Sequence, residues 1–193
     1  MSSLPVHSNW TVEEYLAFEA ESEIRHEFID GQIYAMAGAS KRHNQISSAL
    51  HYALYGQLIG KNCEVFQADM RVQASELWQF YPDVVVVCGE DRYTNDRQTT
   101  LLNPTVLIEV LSPSTEAKDR REKLFHYRSI PSVQEYWMFA QDQIFAERFL
   151  RKDSEVWEYR TWDDAEDVVE LPTLGCTLAL SDVYSRVNFD ETE

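Results

Sequence analysis

Two apolar runs, each carrying one carboxylate, constrain this chain more than any other feature. The first is Val84-Val85-Val86-Val87, headed by Pro82-Asp83; the second is Thr105-Val106-Leu107-Ile108-Glu109-Val110-Leu111. Runs without polar alternation read as strands covered on both faces. An Asp at the mouth of one such strand and a Glu inside the next are costly to bury unless a hydrogen bond, a cation or a metal offsets the desolvation. After the turn Ser112-Pro113-Ser114-Thr115, a charged helix brings Lys123 into the same segment.

The flanking sequence supplies helices and further strands. Thr11-Val12-Glu13-Glu14 fits a capping box and predicts a short helix to about Ala20. Asp30-Gly31 between residues 26–29 and 32–36 predicts a tight hairpin, because both turn positions need positive φ. Ser40 is placed to cap a helix over 41–59, whose Ile46, Leu50, Leu54 and Leu58 recur at helical spacing and whose end fits Gly60. Residues 63–67 and 70–73 alternate as half-buried strands, and a polar excursion fills 89–100. A helix over about 116–128 stops before Ile130-Pro131, since the residue preceding Pro avoids the helical region. Residues 134–140, 144–150 and 155–162 are aromatic-rich and predict a meander of hairpins, with Ser181 capping a short final helix and 190–193 forming a frayed acidic tail. Without repeats, low-complexity stretches or a linker, one α/β domain over 1–193 is expected, with its core at about 10–140.

Bulk properties narrow the function. Against 33 Asp and Glu stand 17 Lys and Arg, a net charge of −16, which argues against tight non-specific DNA binding through phosphate neutralisation. A local site remains compatible with that balance, because a metal supplies its own positive charge. Cys63, Cys88 and Cys176 show no zinc-like spacing and are expected to be buried free thiols. No apolar run approaches the ~20 residues of a membrane span. The start, Met1 to Val6, lacks the pattern of a signal peptide, so a cytoplasmic protein is expected. Phosphate-cradling, dinucleotide, serine-hydrolase and HExxH motifs do not occur.

The remaining chemistry lies in the carboxylates. Asp83 and Glu109 on adjacent strands can converge on Mg²⁺, with a backbone carbonyl and waters completing the shell. The blander reading has Asp83 capping a turn and Glu109 pairing with an Arg. Asp119, Lys123 and Tyr127 recur every fourth residue and share a helix face, so Lys123 can reach a phosphate or an attacking water, or else form a surface pair with Asp119. Glu27 can add a carboxylate from its strand, and His43 can bond a phosphate or a metal-bound water. Asp69 and Arg71, flanking Met70 on the strand before Pro82-Asp83, are candidates to pair across the site. Lys118, Arg120, Arg121, Lys123 and Arg128 form the best local phosphate-binding surface, although mixed-charge runs are commonly solvated faces.

Pro82-Asp83, Glu109 to Thr115, Asp119, Lys123, Tyr127 and Glu135-Tyr136-Trp137, with Glu27, Asp30-Gly31 and His43 upstream, together resemble a bacterial restriction-endonuclease family of the PD-(D/E)xK nuclease superfamily. The resemblance implies a restriction-endonuclease-like αβββαβ core, a mixed central sheet flanked by helices, and additional antiparallel strands at the C-terminal end. It further implies a metal-dependent endonuclease acting on DNA with Mg²⁺ or Mn²⁺, working as a homodimer. Asp83, Glu109, Lys123, Glu27 and His43 would be the catalytic set, with metal held by Asp83, Glu109 and the Val110 carbonyl. One position departs from the superfamily pattern: the lysine expected two residues after the acid is Leu111. Lys123, on the following helix, is the position that takes over. Two competing readings are the same fold serving as a catalytically weak nucleic-acid or protein-binding partner, and a hydrolase of some smaller phosphodiester.

Overall fold

In the computed structural model, which describes residues 9–36, 38–94 and 96–190, the two apolar runs lie side by side in one sheet. They are β6 (Val84–Cys88) and β8 (Val106–Leu111), paired antiparallel with Val84 opposite Ile108. Both strands are buried almost throughout, as runs without polar alternation require. The remaining strands of this six-stranded sheet are β3 (Cys63–Gln67), β9 (Glu135–Ala140), β10 (Ala146–Arg151) and β11 (Trp157–Trp162), in the order β11-β10-β9-β8-β6-β3. Only β8 and β9 are parallel, and the crossover between them is the helical segment 116–129. Taken with α2 (Lys41–Leu58), the sequence α2, β3, β6, β8, helix, β9 is the αβββαβ core that the motifs implied.

A second sheet joins β1 (His26–Ile29), β2 (Gln32–Ala35), β4 (Arg71–Ser75), β5 (Trp78–Phe80) and β7 (Thr100–Leu101) in the order β2-β1-β5-β4-β7. The turn between β1 and β2 has φ of 49° at Asp30 and 75° at Gly31, the left-handed pair that Asp-Gly supplies. The capping box that opens α1 (Val12–Glu21) is complete, with Thr11 and Glu14 each bonding the other's backbone N–H.

Strand alternation gives the central sheet two different faces. Val84, Val86, Val106, Ile108 and Val110 pack beneath Ile46, Leu50, Leu54 and Leu58 of α2. Val85, Val87, Leu107 and Leu111 point the other way, toward Phe80, Tyr127, Ile130 and Tyr136. Glu109 shares the parity of Leu107 and Leu111, so it faces the second side.

Several expectations are corrected. Cys63 and Cys88 form a disulfide and only Cys176 is free, because the β3–β6 register sets Cys63 directly opposite Cys88. That register is invisible in linear spacing. The polar excursion runs into β7, and β5 and the hairpin β12 (Val168–Leu171) with β13 (Cys176–Ala179) are further strands; all four are too short to show a clear period. Strand β9 is the buried parallel partner of β8 as well as the first strand of the meander. Ser181 lies inside α5 (Leu180–Val183), whose N-cap is Ala179. Asp69 and Arg71 do not pair: Asp69 bonds Arg25, while Arg71 bonds Thr100 and Tyr81. The start of the chain and residues 191–193 of the acidic tail lie outside the described residues. Among the described residues, no helix is long and apolar enough to cross a membrane.

Candidate active site

Asp83 stands one residue before β6, where the β6–β8 ladder ends at Val84 and Ile108. Its Oδ2 accepts the Val110 N–H at 2.7 Å, replacing the ladder bond that a longer β6 would have made. Because the N–H and C=O of a paired strand residue point to the same edge, the Val110 carbonyl also projects beyond the end of β6. The second group on Asp83 Oδ2 is His43 Nε2, at 3.2 Å. His43 is in the first turn of α2, and the N-cap Ser40 accepts its backbone N–H. Burial lowers the imidazole's proton affinity, but the Asp83 bond and charge outweigh it and leave the pKa above the usual histidine value.

Glu109 is buried in the middle of β8, and two donors from one helix meet it. Lys123 Nζ lies 2.8 Å from Glu109 Oε1, and the Tyr127 hydroxyl donates to the same oxygen at 2.9 Å. Lys123 Nζ is also 3.3 Å from Glu27 Oε1 and 3.1 Å from Asp119 Oδ1, the latter an ion pair without hydrogen-bond alignment. The helix that carries these groups is irregular: α3 (Glu116–Lys118) runs into a π-helical turn, Asp119–Lys123, and then into α4 (Leu124–Ser129). The Asp119 carbonyl accepts both the Leu124 N–H and the Tyr136 hydroxyl, so the widened turn is tied to β9. π-bulges of this kind recur at functional sites.

The electrostatics follow from enclosing three carboxylates around one ammonium. Burial pushes the Glu109 carboxyl well above its ordinary range; Lys123 pulls it down, while Asp119 and Asp83 push it further up. Asp119 is raised for the same first reason. Glu27 goes the other way: burial would raise it, but Lys123 and Lys118, which pairs with its Oε2, hold it below the usual value. Lys123 is raised well above an ordinary lysine, since Asp119, Glu109 and Glu27 together outweigh its burial.

Glu27, His43, Asp83, Glu109, Val110 and Lys123 all line one cleft of about 510 Å³, whose rim includes the 112–115 turn and Gln141. The sequence-predicted set is therefore gathered in one place. Tyr127, expected to share a face with Lys123 and part of the motif set, had no assigned role, and its bond to Glu109 could have been anticipated from that spacing. The Lys118 bond to Glu27 had no sequence signal. Most basic side chains of the helix are engaged within the protein, with Arg121 exposed. Lys118 and Lys123 end in the carboxylates just named, Arg120 pairs with Glu116 and Glu147, and Arg128 lies over the Trp157 ring.

Whether a metal suits these groups can be judged from the donors. Among the described residues, no three His, Cys, Asp or Glu side chains form a ready-made cage. Mg²⁺ needs no such cage, since it takes one or two carboxylates and keeps several waters. No bond within the described residues takes Asp83 Oδ1 or Glu109 Oε2, and both side chains line the cleft. Two hard oxygens and a neighbouring carbonyl fit such an ion.

Comparison with known proteins places this geometry in a family. A profile described as "Putative restriction endonuclease", the Uma2 family, matches residues 12–181. Two proteins of Synechocystis sp. (strain ATCC 27184 / PCC 6803 / Kazusa) are similar. The uncharacterized protein slr1290 is 34% identical over 180 residues, covering 92% of each chain. The uncharacterized protein sll1609 is 35% identical over 148 residues, covering 76% of this chain and 84% of its own. Among solved structures, a "putative nuclease belonging to DUF820" from Anabaena variabilis ATCC 29413 superposes with a TM-score of 0.75 at 20% identity, covering 91% of this chain and 97% of its own, a likeness of fold. With the αβββαβ core and the extent of these matches, the chain belongs to the Uma2 family.

Proposed function

We propose that the chain is a divalent-metal-dependent endonuclease that hydrolyses DNA phosphodiesters in the cleft between Asp83 and Glu109. The observation that carries this reading is the position of Lys123: absent from the strand, where Leu111 stands, the lysine arrives from the helix 2.8 Å from Glu109. Asp83, Glu109 and the Val110 carbonyl would hold Mg²⁺ or Mn²⁺. Such an ion, when bound, lowers the pKa of a water and polarises the scissile phosphate.

The protein's own groups then have separable tasks. Lys123 favours the charged form of Glu109 against its burial and supplies positive charge toward the phosphate as negative charge develops. Tyr127, fixed by its own enclosure, restrains Glu109 to one orientation. His43 and the Val110 N–H both hold Asp83 Oδ2, which leaves Oδ1 directed to another partner. Glu27 and Asp119 balance Lys123, so the lysine is a positioned cation and not a proton donor near neutral pH.

A second reading, a hydrolase of smaller phosphodiesters or a binding protein without catalysis, is favoured by two observations. The net charge is −16, and the helix's basic side chains are largely spent in internal pairs. Supercoiled plasmid incubated with Mg²⁺ or Mn²⁺ separates these readings. Wild type should nick or linearise it, and Asp83→Ala, Glu109→Ala and Lys123→Ala should each lose about 10²-fold or more, the scale of removing one electrostatic contributor. Equal activity of all four proteins would eliminate the site.

A further inference from the structure

A second cavity, of about 800 Å³, opens on the far side of Tyr81, between α1, the start of β4 and the 96–99 loop. Tyr81 lines both cavities, and the 67–71 segment divides them: Gln67 and Ala68 face the candidate active site, while Asp69 and Arg71 face this one. Arg71 lies at its base, only 5% exposed. Its Nε donates to Thr100 Oγ1 at 2.8 Å and its Nη1 to the Tyr81 hydroxyl at 3.3 Å, and the guanidinium lies 5.4 Å from the centre of the Tyr15 ring. Among the described residues, no carboxylate pairs with it directly.

That is an unusual way to bury a guanidinium. Such a charge is ordinarily paired, because neutral partners do not offset its desolvation. Thr100 and Tyr81 take two of its five N–H donors, and the Tyr15 side chain is a further neutral partner. Glu19 is reached through Tyr81, whose hydroxyl donates to Glu19 Oε1 at 2.8 Å. Glu19 is itself engaged by the backbone N–H and Nδ1 of His26. Of the other acids on the walls, Asp69 is held by Arg25, and Asp96 is exposed on the loop. A buried cation with spare donors beneath an open cavity is the arrangement of an oxyanion site, and the planar fork of Arg suits phosphate.

We infer that this cavity binds a phosphate group on Arg71, as a second subsite beside the cleft. The inference rests on the proposed function for the source of that phosphate. A strand held at Asp83 would pass over the 67–71 ridge and present a neighbouring phosphodiester. A free nucleotide phosphate offers the same chemistry.

Binding measured without catalysis tests it. The intact protein in EDTA would be titrated with a labelled twelve-nucleotide strand, and separately with a 5′-mononucleotide and inorganic phosphate. Arg71→Gln should weaken strand binding about ten- to hundredfold, the loss expected for one charge-assisted contact. Because Arg71 is buried and its variant can fail to fold, Ala20→Trp provides a second route. It fills the cavity from an exposed position on α1, and should weaken binding at least tenfold with an unchanged melting temperature. Competition by the mononucleotide identifies a free phosphate as the ligand, and competition only by longer strands identifies a strand phosphate. Strand binding that ignores Ala20→Trp overturns the inference, even if plasmid cleavage stands. Binding that depends on both positions in a protein that cleaves nothing upholds the subsite and removes the nuclease reading.

Discussion

The two faces of the six-stranded sheet are built from the same strands and do opposite things. Beneath α2, Val84 and Val86 of β6 and the even-numbered residues of β8 sit in a cluster of buried hydrophobic side chains. On the other face, the same β8 carries Glu109 into contact with Lys123 and Tyr127, with Asp119 and Glu27 close by. One face is held by area removed from water, which is forgiving of detail. The opposite face holds three buried carboxylates on one buried ammonium, an arrangement that gains little stability over an apolar core and is costly to disturb. Charge is retained where the cleft opens and is absent from the apolar packing under α2.

The largest expected effect of breaking this contrast comes from Lys123. Lys123→Met leaves Glu109, Glu27 and Asp119 enclosed without their shared cation, and should cost about 3–5 kcal/mol near neutral pH. The sign of the pH dependence is fixed by the shifts. Lys123 has a folded pKa above its unfolded value, so its contribution is complete below the unfolded 10.5 and is lost as pH rises through the folded value. Glu109 is raised above 4.5, so its burial lowers stability as pH climbs from 4.5 toward the folded value. The Lys123→Met deficit, read from urea melts, should therefore shrink on acidification as the orphaned carboxylates take up protons.

On the apolar face, Leu54→Ala should cost about 2–5 kcal/mol by opening a cavity. Its deficit should not vary with pH in the acid range, and cleavage per folded molecule should be unchanged. A smaller effect is expected of Tyr127→Phe, about 1–3 kcal/mol for one hydrogen bond to a charged group. The smallest shift concerns His43. Followed by NMR in metal-free protein, its midpoint should lie above 6.5, and Asp83→Asn should bring it down. A midpoint unmoved by that change would show that Asp83 does not hold the ring.

Much of this contrast could be read from the residues. The unbroken runs at Val84 and Val106 announced strands covered twice, and a lone acid in each announced a partner still to be found. Fourfold spacing put Asp119, Lys123 and Tyr127 on one face, and the structure brings all three to Glu109 or its neighbours, though through a π-turn that spacing does not reveal. What stayed hidden depends on register and on contacts distant in sequence. Cys63 meets Cys88 only because β3 and β6 pair without offset. Lys118 finds Glu27 across a separation of 91 residues. Arg71, expected to pair with Asp69, turns instead to Thr100 and Tyr81, and Asp69, in the turn before β4, is taken by Arg25.

Calorimetric titration of the metal-free protein with Mn²⁺ tests the central claim most directly, since it separates ion binding from DNA binding and cleavage. One or two ions should bind to wild type, and binding should be lost in Asp83→Ala while persisting in Leu54→Ala. Absence of binding to the folded wild type, or binding indifferent to Asp83, would contradict a metal site on the charged face.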